Sequence, residues 1–170
     1  EPRKHSDPAY HYNEILASLK SAASKMPRVD AIGGSSAGVI INSRPMIASL
    51  FRAVPKDRFG EVHNIFLRIR QEFGVPVEVV NDGEVTALAG SMLAGSGALL
   101  GIAMGSSQAA GYVDREGRLT SRIDELAFAP VDDAPDAPVD EWSGDRGCGV
   151  QYFSQQATAR LMVPAGLEID

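Results

Sequence analysis

The sequence predicts an α/β fold, because helical and buried-strand patterns alternate along the chain. Residues 56–73 carry apolar side chains at helical spacing, and residues 75–80 form a nearly continuous apolar run. Such a run is typical of a strand that is buried on both faces. Residues 84–93 are rich in Ala and Gly and predict another helix, and residues 99–104 predict a second buried strand. Helix, buried strand, helix, buried strand is the pattern of an α/β protein.

Composition narrows the class of protein. At 170 residues and 44% hydrophobic residues, the chain is long enough for one domain, or for a large piece of a two-domain protein. A net charge of -6 argues against a nucleic-acid partner, and no apolar stretch approaches the ~20 residues of a membrane helix. The polar start is unlike a signal peptide. A single cysteine, Cys148, excludes an intramolecular disulfide. We therefore expect a cytoplasmic protein without a membrane partner.

The first third of the chain predicts a loop, a helix and three short strands. Residues 1–11 are polar and contain two prolines, which predicts a loop. Asn13 is the predicted N-cap of a helix that ends at Met26-Pro27. Residues 29–32 predict a strand that runs into a glycine-rich turn over residues 33–38. Two further strands are predicted around an Asn-Ser-Arg turn, over residues 39–42 and 45–47.

The last third predicts a hairpin, a long loop and a helix. Residues 111–113 and 118–120 flank Asp-Arg-Glu-Gly, a favourable turn sequence. Residues 129–146 are rich in Pro, Asp and Gly and predict an irregular loop, and loops of this length are usually functional or mobile. A helix is predicted over residues 149–161.

Asp82 is the first candidate for chemistry. It follows the predicted strand 75–80 directly, and open α/β sheets bind ligands beyond the carboxyl ends of their strands. A carboxylate there could accept the proton of a hydroxyl that attacks phosphorus. The alternative is that Asn81-Asp82-Gly83 is a turn in which Asp82 caps the next helix. Spacing alone favours this structural alternative.

Two small-residue segments are candidates for binding a ligand through their backbone. The segment Gly105-Ser106-Ser107-Gln108 begins a predicted turn whose amides could contact phosphate oxygens. The alternative is an ordinary hairpin turn, since the segment is not a P-loop and no Lys follows it. Residues 33–38 could line a substrate or form a plain strand turn.

Five further side chains are of types that can act as ligands or nucleophiles. Glu125 is flanked by apolar residues and is a candidate ligand for sugar hydroxyls, although an exposed loop charge explains it equally well. Cys148 is more typical of a buried apolar residue than of a nucleophile. The three histidines are expected at the surface, without the spacing of a metal site: His5, His11 and His63.

Taken in order, these segments resemble the ROK family of bacterial sugar kinases and related regulators. That family belongs to the actin-like ATPase and sugar kinase superfamily. The resemblance runs from about Val29 to Arg160. Residues 30–39 look like the strand and glycine turn at the sugar site, and residues 75–82 with Ala87-Leu88-Ala89 look like the catalytic segment. Two later segments are similar to the second phosphate motif and to the end of the zinc-binding segment, at residues 101–119 and 146–154.

The resemblance implies a fold and a set of domains. The fold would be one ribonuclease-H-like lobe of the actin and hexokinase type, with part of its partner lobe. Residues 1–28 would be an N-terminal loop and helix, and residues 29–170 a sugar-kinase-like domain. Within it, residues 29–74 would belong to the first lobe and residues 75–170 to an incomplete second lobe.

The resemblance also implies roles for residues. Asp82 would be the catalytic base. Four residues would bind the sugar: Asn81, Glu125, Gly34 and Ser35. Four would bind the nucleotide: Gly105, Ser106, Ser107 and Gln108. An active protein would use ATP and Mg²⁺ with a sugar substrate, and the resemblance is compatible with a homodimer.

The chain departs from the family pattern at several positions. No Asp-x-Gly-x-Thr strand precedes the first predicted helix, and Ser107, Ala109 and Ala110 stand where the family favours glycine. Phe128 stands at the position of a zinc-binding His, and Cys148 alone matches a zinc-binding Cys, so zinc is not expected. Either the chain is a fragment, or it belongs to a divergent branch. The lost glycines and zinc ligands favour divergence, because truncation would not remove them.

Three functions are consistent with this sequence. The first is ATP-dependent phosphorylation of a sugar hydroxyl, with Asp82 as the base. The second is a catalytically inactive sugar-sensing or interaction domain, related to the regulators. The third is a structural domain without a small ligand.

Overall fold

The computed structural model describes residues 2–120, 122, 125–141 and 143–167. The chain divides into two compact units, Glu1–Asp82 and Gly83–Asp170, which we call the first and the second unit. No helix within the described ranges is long and apolar enough to cross a membrane.

The first unit combines helices with two small sheets. Its helices are α1 (Pro8–Ala23), α2 (Phe59–His63) and α3 (Ile65–Phe73), and its strands are β1 (Ile32–Ser36), β2 (Val39–Ile41), β3 (Arg44–Ile47) and β4 (Val77–Asn81). Strands β1 and β4 are parallel, with Ile32 opposite Val77 and Ser36 opposite Asn81. Strands β2 and β3 form an antiparallel hairpin. Parallel pairing of strands that are separated by helices is the expected α/β arrangement.

The apolar side chains at helical spacing within residues 56–73 form a stripe that is buried in the core of the first unit. The stripe consists of Val62, Ile65, Phe66 and Ile69. All four are buried, and they pack in one cluster with Phe51, Val77 and Val79. The helix ends at Phe73 as predicted, and Gly74 adopts the left-handed conformation with φ 65° that favours glycine. Asn64 interrupts the predicted helix, which becomes α2 and α3.

Helix α1 begins earlier than Asn13, the predicted N-cap. Asp7 is the N-cap, because its carboxylate accepts a hydrogen bond from the Ala9 backbone N–H at 3.2 Å and Pro8 opens the helix. The added turn brings His11 into the interior, where its ring lies edge-on to Phe51 with centroids 5.1 Å apart. The predicted surface position of His11 is therefore wrong.

Strand β1 lies later than residues 29–32, where a strand was predicted. Residues 33–35 are strand residues instead of a turn, because β4 supplies their parallel hydrogen-bonding partner. The turn is limited to Ala37 and Gly38. The two following strands, β2 and β3, are confirmed, and the turn between them has positive φ at Asn42 and Ser43.

The second unit is built on a helix and a hairpin. Its elements are α4 (Asp82–Ala94, whose first residue closes the first unit), β5 (Leu99–Met104), β6 (Gln108–Val113) and α5 (Gln155–Met162), with 3-10 turns at Leu126–Phe128 and Gly149–Gln151. Strand β5 has its predicted bounds, and it pairs with β6 in an antiparallel hairpin. The hairpin predicted across residues 114–117 is reduced, among the residues that the structure describes, to one bridge between Val113 and Leu119. The predicted last helix is divided into a 3-10 turn and α5.

Glycines let α4 approach the β5–β6 hairpin at backbone distance. A Cβ atom on Gly101 would lie 2.6 Å from the Cα of Ala87, and one on Gly111 would lie 2.4 Å from the Cα of Glu84. The opposite face of β5 has a row of exposed side chains, Leu100, Ile102 and Met104. The prediction that residues 99–104 form a buried strand is therefore wrong for the face that carries these three side chains.

We expect Gly101→Ala to lower the free energy of unfolding by roughly 1–3 kcal/mol, because the new methyl group meets helix backbone that cannot rotate away. Gly90→Ala is the matched control, since its Cβ would meet only the Leu99 side chain, at 3.4 Å, and alanine favours the helix. Urea denaturation of both variants measures the difference. Equal midpoints for the two would contradict the close approach of α4.

Candidate functional site

The first unit places a carboxylate beside the carboxyl ends of two parallel strands. Ser36 ends β1 and lies opposite Asn81, which ends β4. Asp82 follows at once as the exposed first residue of α4. A negative charge in the first turn of a helix is stabilised by the helix dipole. This edge therefore presents an acid where α/β sheets bind ligands.

The Asn81 side chain is hydrogen bonded to the turn that follows β1. Its Nδ2 donates to the carbonyl oxygen of Gly38 at 2.7 Å. Gly38 has φ 104°, and a Cβ atom there would lie 2.1 Å from the Ile47 carbonyl oxygen, so only glycine fits. The Asn81 amide thus positions the turn, a role that the sequence did not indicate because its partner is 43 residues away.

A second contact joins β4 to the β2–β3 hairpin. The backbone N–H of Val79 donates to the hydroxyl of buried Ser43 at 3.0 Å. The residue two positions before Asn81 is therefore held by a side chain from the hairpin turn. Sequence reasoning missed Ser43, since the Asn-Ser-Arg pattern indicated only a turn.

Gly34 and Ser35, predicted to bind the sugar, lie within β1. Both are exposed, and they pair with Val79 and Val80. A Cβ atom on Gly34 would meet the Val79 side chain at 3.5 Å, which is ordinary contact. The first unit thus brings Ser35, with its hydroxyl, to the edge that also carries the amide of Asn81 and the carboxylate of Asp82. Hydroxyl, amide and carboxylate groups can together bind and deprotonate an alcohol.

In the second unit, the turn between β5 and β6 lies at the start of a helix. The turn comprises residues 105–107, and Ser106 and Ser107 are exposed. Gly105 donates its N–H to the carbonyl oxygen of Ser107 at 2.8 Å and accepts from the N–H of Gln155, the first residue of α5, at 2.7 Å. Small-residue turns and helix starts both offer backbone N–H groups to anions.

Gln108 differs from its neighbours in the predicted nucleotide segment. It is the first residue of β6, and its side chain is only 8% exposed. Its Oε1 has no hydrogen-bond partner among the residues that the structure describes. A Cβ atom on Gly149 would lie 2.9 Å from this oxygen, so the carboxamide faces the 3-10 turn Gly149–Gln151.

Glu125 lies directly before the 3-10 turn Leu126–Phe128 and is half-buried. Its carbonyl oxygen accepts from the Phe128 N–H at 3.1 Å. Behind the turn, Phe128 packs against a buried cluster of Ala127, Cys148 and Val150. Burial raises the pKa of the Cys148 thiol, and the negative charge of nearby Asp140 raises it further. The interpretation of Cys148 as a buried apolar residue is confirmed.

The candidate residues fall into two groups. Gly34, Ser35, Asn81 and Asp82 belong to the first unit, and residues 105–108 with Glu125 belong to the second. Across the described ranges, no group of three His, Cys, Asp or Glu side chains could hold a metal ion.

Comparison with solved structures shows which known proteins share this fold. No family model matches the chain, and no curated protein matches it. Similar structures include the ROK hexokinase from Thermus thermophilus, with a TM-score of 0.70, 20% identity and coverage of 93% of this chain and 54% of that chain. A ROK glucokinase from Streptomyces griseus, in complex with glucose and AMPPNP, has a TM-score of 0.67, 22% identity and coverage of 92% and 49%.

A ROK family transcriptional regulator, a homologue of the E. coli MLC protein, is similar to the same degree. Its TM-score is 0.68 at 22% identity, over 93% of this chain and 39% of that chain. This chain therefore spans between 39% and 54% of the length of these three proteins. Over more than nine-tenths of its length it has the fold of ROK family kinases and regulators, as the resemblance of its motifs predicted.

Proposed function

We propose that this protein binds a sugar at the edge formed by β1 and β4 and phosphorylates one of its hydroxyl groups. The observation that carries the proposal is the position of Asp82, exposed at the end of β4, beside an Asn81 amide that is fixed on the Gly38 carbonyl. A hexokinase and a glucokinase among the structures with this fold support it.

In the proposed reaction, Asp82 accepts the proton of the sugar hydroxyl as its oxygen attacks the γ-phosphorus of ATP. The bond from that phosphorus to the bridging oxygen breaks, and ADP leaves. Ser35 and Asn81 would orient the hydroxyl. Glu125 stays a predicted ligand for sugar hydroxyls. ATP supplies the phosphoryl group, and Mg²⁺ would come with its phosphates.

The nucleotide would be held by the backbone of residues 105–107. Nothing lies within 4 Å of the missing Cβ atom of Gly105, and Ser106 and Ser107 are exposed, so phosphate oxygens can approach this turn. Gln108 as a whole is only 8% exposed, and its role in nucleotide binding stays a prediction.

The proposal also covers the fold class, the oligomeric state and the cellular location. We assign the fold to the ribonuclease-H-like class, with the two units as parts of two lobes. The boundaries at residues 28 and 74, a homodimer and a cytoplasmic location stay predictions.

A second candidate function is sugar sensing without phosphoryl transfer. It is favoured by Ser107, Ala109 and Ala110, which replace glycines of the family's phosphate motif. The regulator with this fold supports it. Under this alternative, the edge of β1 and β4 binds the sugar, and the turn of residues 105–107 does not bind a nucleotide.

Isothermal titration calorimetry with glucose and with ATP-Mg²⁺, followed by an assay of glucose-dependent ADP release, separates the candidates. The kinase proposal predicts saturable binding of both ligands and release of ADP. Glucose binding without ATP binding would reject the kinase proposal and support sugar sensing. If a panel of neutral sugars fails to bind, both proposals are wrong and a structural domain is left.

A further inference from the structure

The segment that resembles a zinc-binding segment lacks the chemistry to bind zinc. Zinc in proteins takes four ligands from thiolates, imidazoles and carboxylates. Phe128, at the position of the His, has no donor atom, and Cys148 is 1% exposed inside the apolar cluster with Val150. The donor set therefore does not fit zinc, in agreement with the prediction from the sequence.

A buried carboxylate lies between Phe128 and Cys148 in the sequence. Asp140 is 8% exposed, and both of its oxygens accept hydrogen bonds. Oδ2 accepts from the backbone N–H of Ser143 at 2.7 Å, and Oδ1 accepts from Nε2 of Gln151 at 3.3 Å. The Asp140 backbone N–H donates to the Asp145 carbonyl at 2.8 Å, and its carbonyl accepts from the Gly144 N–H at 2.9 Å.

These hydrogen bonds close a loop, residues 137–148, which we call the Asp140 loop. Its two sides are joined by a bridge between Val139 and Arg146, and by Arg146 Nη1, which donates to the Ala137 carbonyl at 2.8 Å. The Gly147 N–H donates to the Pro138 carbonyl at 2.9 Å. The loop is thus held by hydrogen bonds on both sides of Asp140.

The end of the Asp140 loop is paired with the segment that follows Glu125. Cys148 forms a bridge with Pro130, and the Gly149 N–H donates to the Ala129 carbonyl at 2.9 Å. Ala129 directly follows the 3-10 turn that Glu125 precedes. Main-chain hydrogen bonds therefore connect the end of the Asp140 loop to the residues directly after the 3-10 turn Leu126–Phe128.

We propose that Asp140 replaces zinc as the organising centre of this segment, so that the loop folds without metal and positions the Glu125 turn. Hydrogen bonds from N–H groups to a carboxylate are stronger than those between neutral groups, which suits a carboxylate to this role. Only the consequence for sugar binding at Glu125 depends on the proposed function. The metal independence and the role of Asp140 do not.

The wild-type chain tests the metal independence directly. We expect EDTA and 1,10-phenanthroline to leave the melting temperature unchanged, and zinc chloride to give no stoichiometric binding by calorimetry. Elemental analysis of the purified protein should find substoichiometric zinc. One tightly bound zinc per chain, or a melting temperature that falls with chelator and recovers with zinc, would overturn the proposal.

Substitution tests the role of Asp140. We expect Asp140→Ala to lower the melting temperature by about 5 °C and to speed amide hydrogen exchange in residues 126–131 and 143–148, because the N–H of Ser143 and the Gln151 amide lose their acceptors. Asp140→Asn should have a melting temperature and exchange rates between those of the wild type and Asp140→Ala, since one of its two terminal side-chain atoms still accepts a hydrogen bond. Asp133→Ala, an exposed carboxylate of the same segment, is the control and should change neither quantity.

The melting temperature and hydrogen exchange of these variants are measured without any sugar ligand. Equal melting and equal exchange for Asp140→Ala and Asp133→Ala would overturn the role of Asp140. If Asp140→Ala fails to fold, the comparison of Asp140→Asn with Asp133→Asn decides in the same way.

Discussion

Replacing Asp82 with Asn should lower the rate of sugar phosphorylation by ~10²–10⁴-fold, the usual effect of losing a general base. Asparagine has nearly the same shape as aspartate, but it cannot accept the hydroxyl proton. Because the side chain is exposed at the end of β4, the substitution should leave the fold intact. The turnover number, measured as ADP release at saturating glucose and ATP-Mg²⁺ with the protein at its natural length, is the quantity to compare.

Asp30→Asn is the matched control for Asp82→Asn. Asp30 is an exposed carboxylate of the same unit that forms an ion pair with Arg28 before β1 begins. Exposed ion pairs contribute little to stability, so this variant should keep wild-type turnover. Equal turnover for Asp82→Asn and Asp30→Asn would show that Asp82 is not the base. Glucose binding without ADP release from any of the proteins would favour the sensor.

Gly147→Ala should lower the free energy of unfolding of the second unit by roughly 2–5 kcal/mol, because overpacking and backbone strain act together. Gly147 has φ 66°, and a Cβ atom there would lie 1.8 Å from the carbonyl oxygen of Asp132. The Gly147 carbonyl also accepts from the N–H groups of Val131 and Asp132 at 2.9 and 3.1 Å. A methyl group would push these two segments apart and break the pairing.

Gly144→Ala separates the two causes. Gly144 has φ 78°, but nothing lies within 4 Å of its missing Cβ, so this variant carries the backbone strain alone. Its cost should be roughly 1–2 kcal/mol. Thermal and urea unfolding of both variants give the comparison. A Gly147→Ala protein as stable as Gly144→Ala would contradict the close approach of residue 147 to Asp132.

Elements whose pattern is complete within a few residues could be predicted from the sequence. The apolar stripe on α2 and α3, and the end of α3 at Phe73, are confirmed, since a helix makes its hydrogen bonds within its own segment. The bounds of β5 are also confirmed. For α1, the capping side chain of Asp7 decided the first residue, although Asn13 had an equally suitable side chain.

Elements that depend on distant partners were misplaced. Residues 33–35 have the composition of a turn, and they form a strand because β4 pairs with them from more than 40 positions away. The exposed face of β5 could not be read from its apolar run, since burial depends on which elements pack there. The hydrogen-bonding partners of a strand, and the elements that pack on its faces, come from elsewhere in the chain.

The candidate site follows the same division. The alternation of helices and strands, and the acid at the end of a strand, could be predicted from the sequence because both depend on neighbours along the chain. Three features depend on the folded chain: Asn81 donates to the Gly38 carbonyl, Gln108 is buried, and the buried Asp140 carboxylate accepts hydrogen bonds between Phe128 and Cys148. Each of these depends on hydrogen bonds and packing between residues that only the folded chain brings into contact.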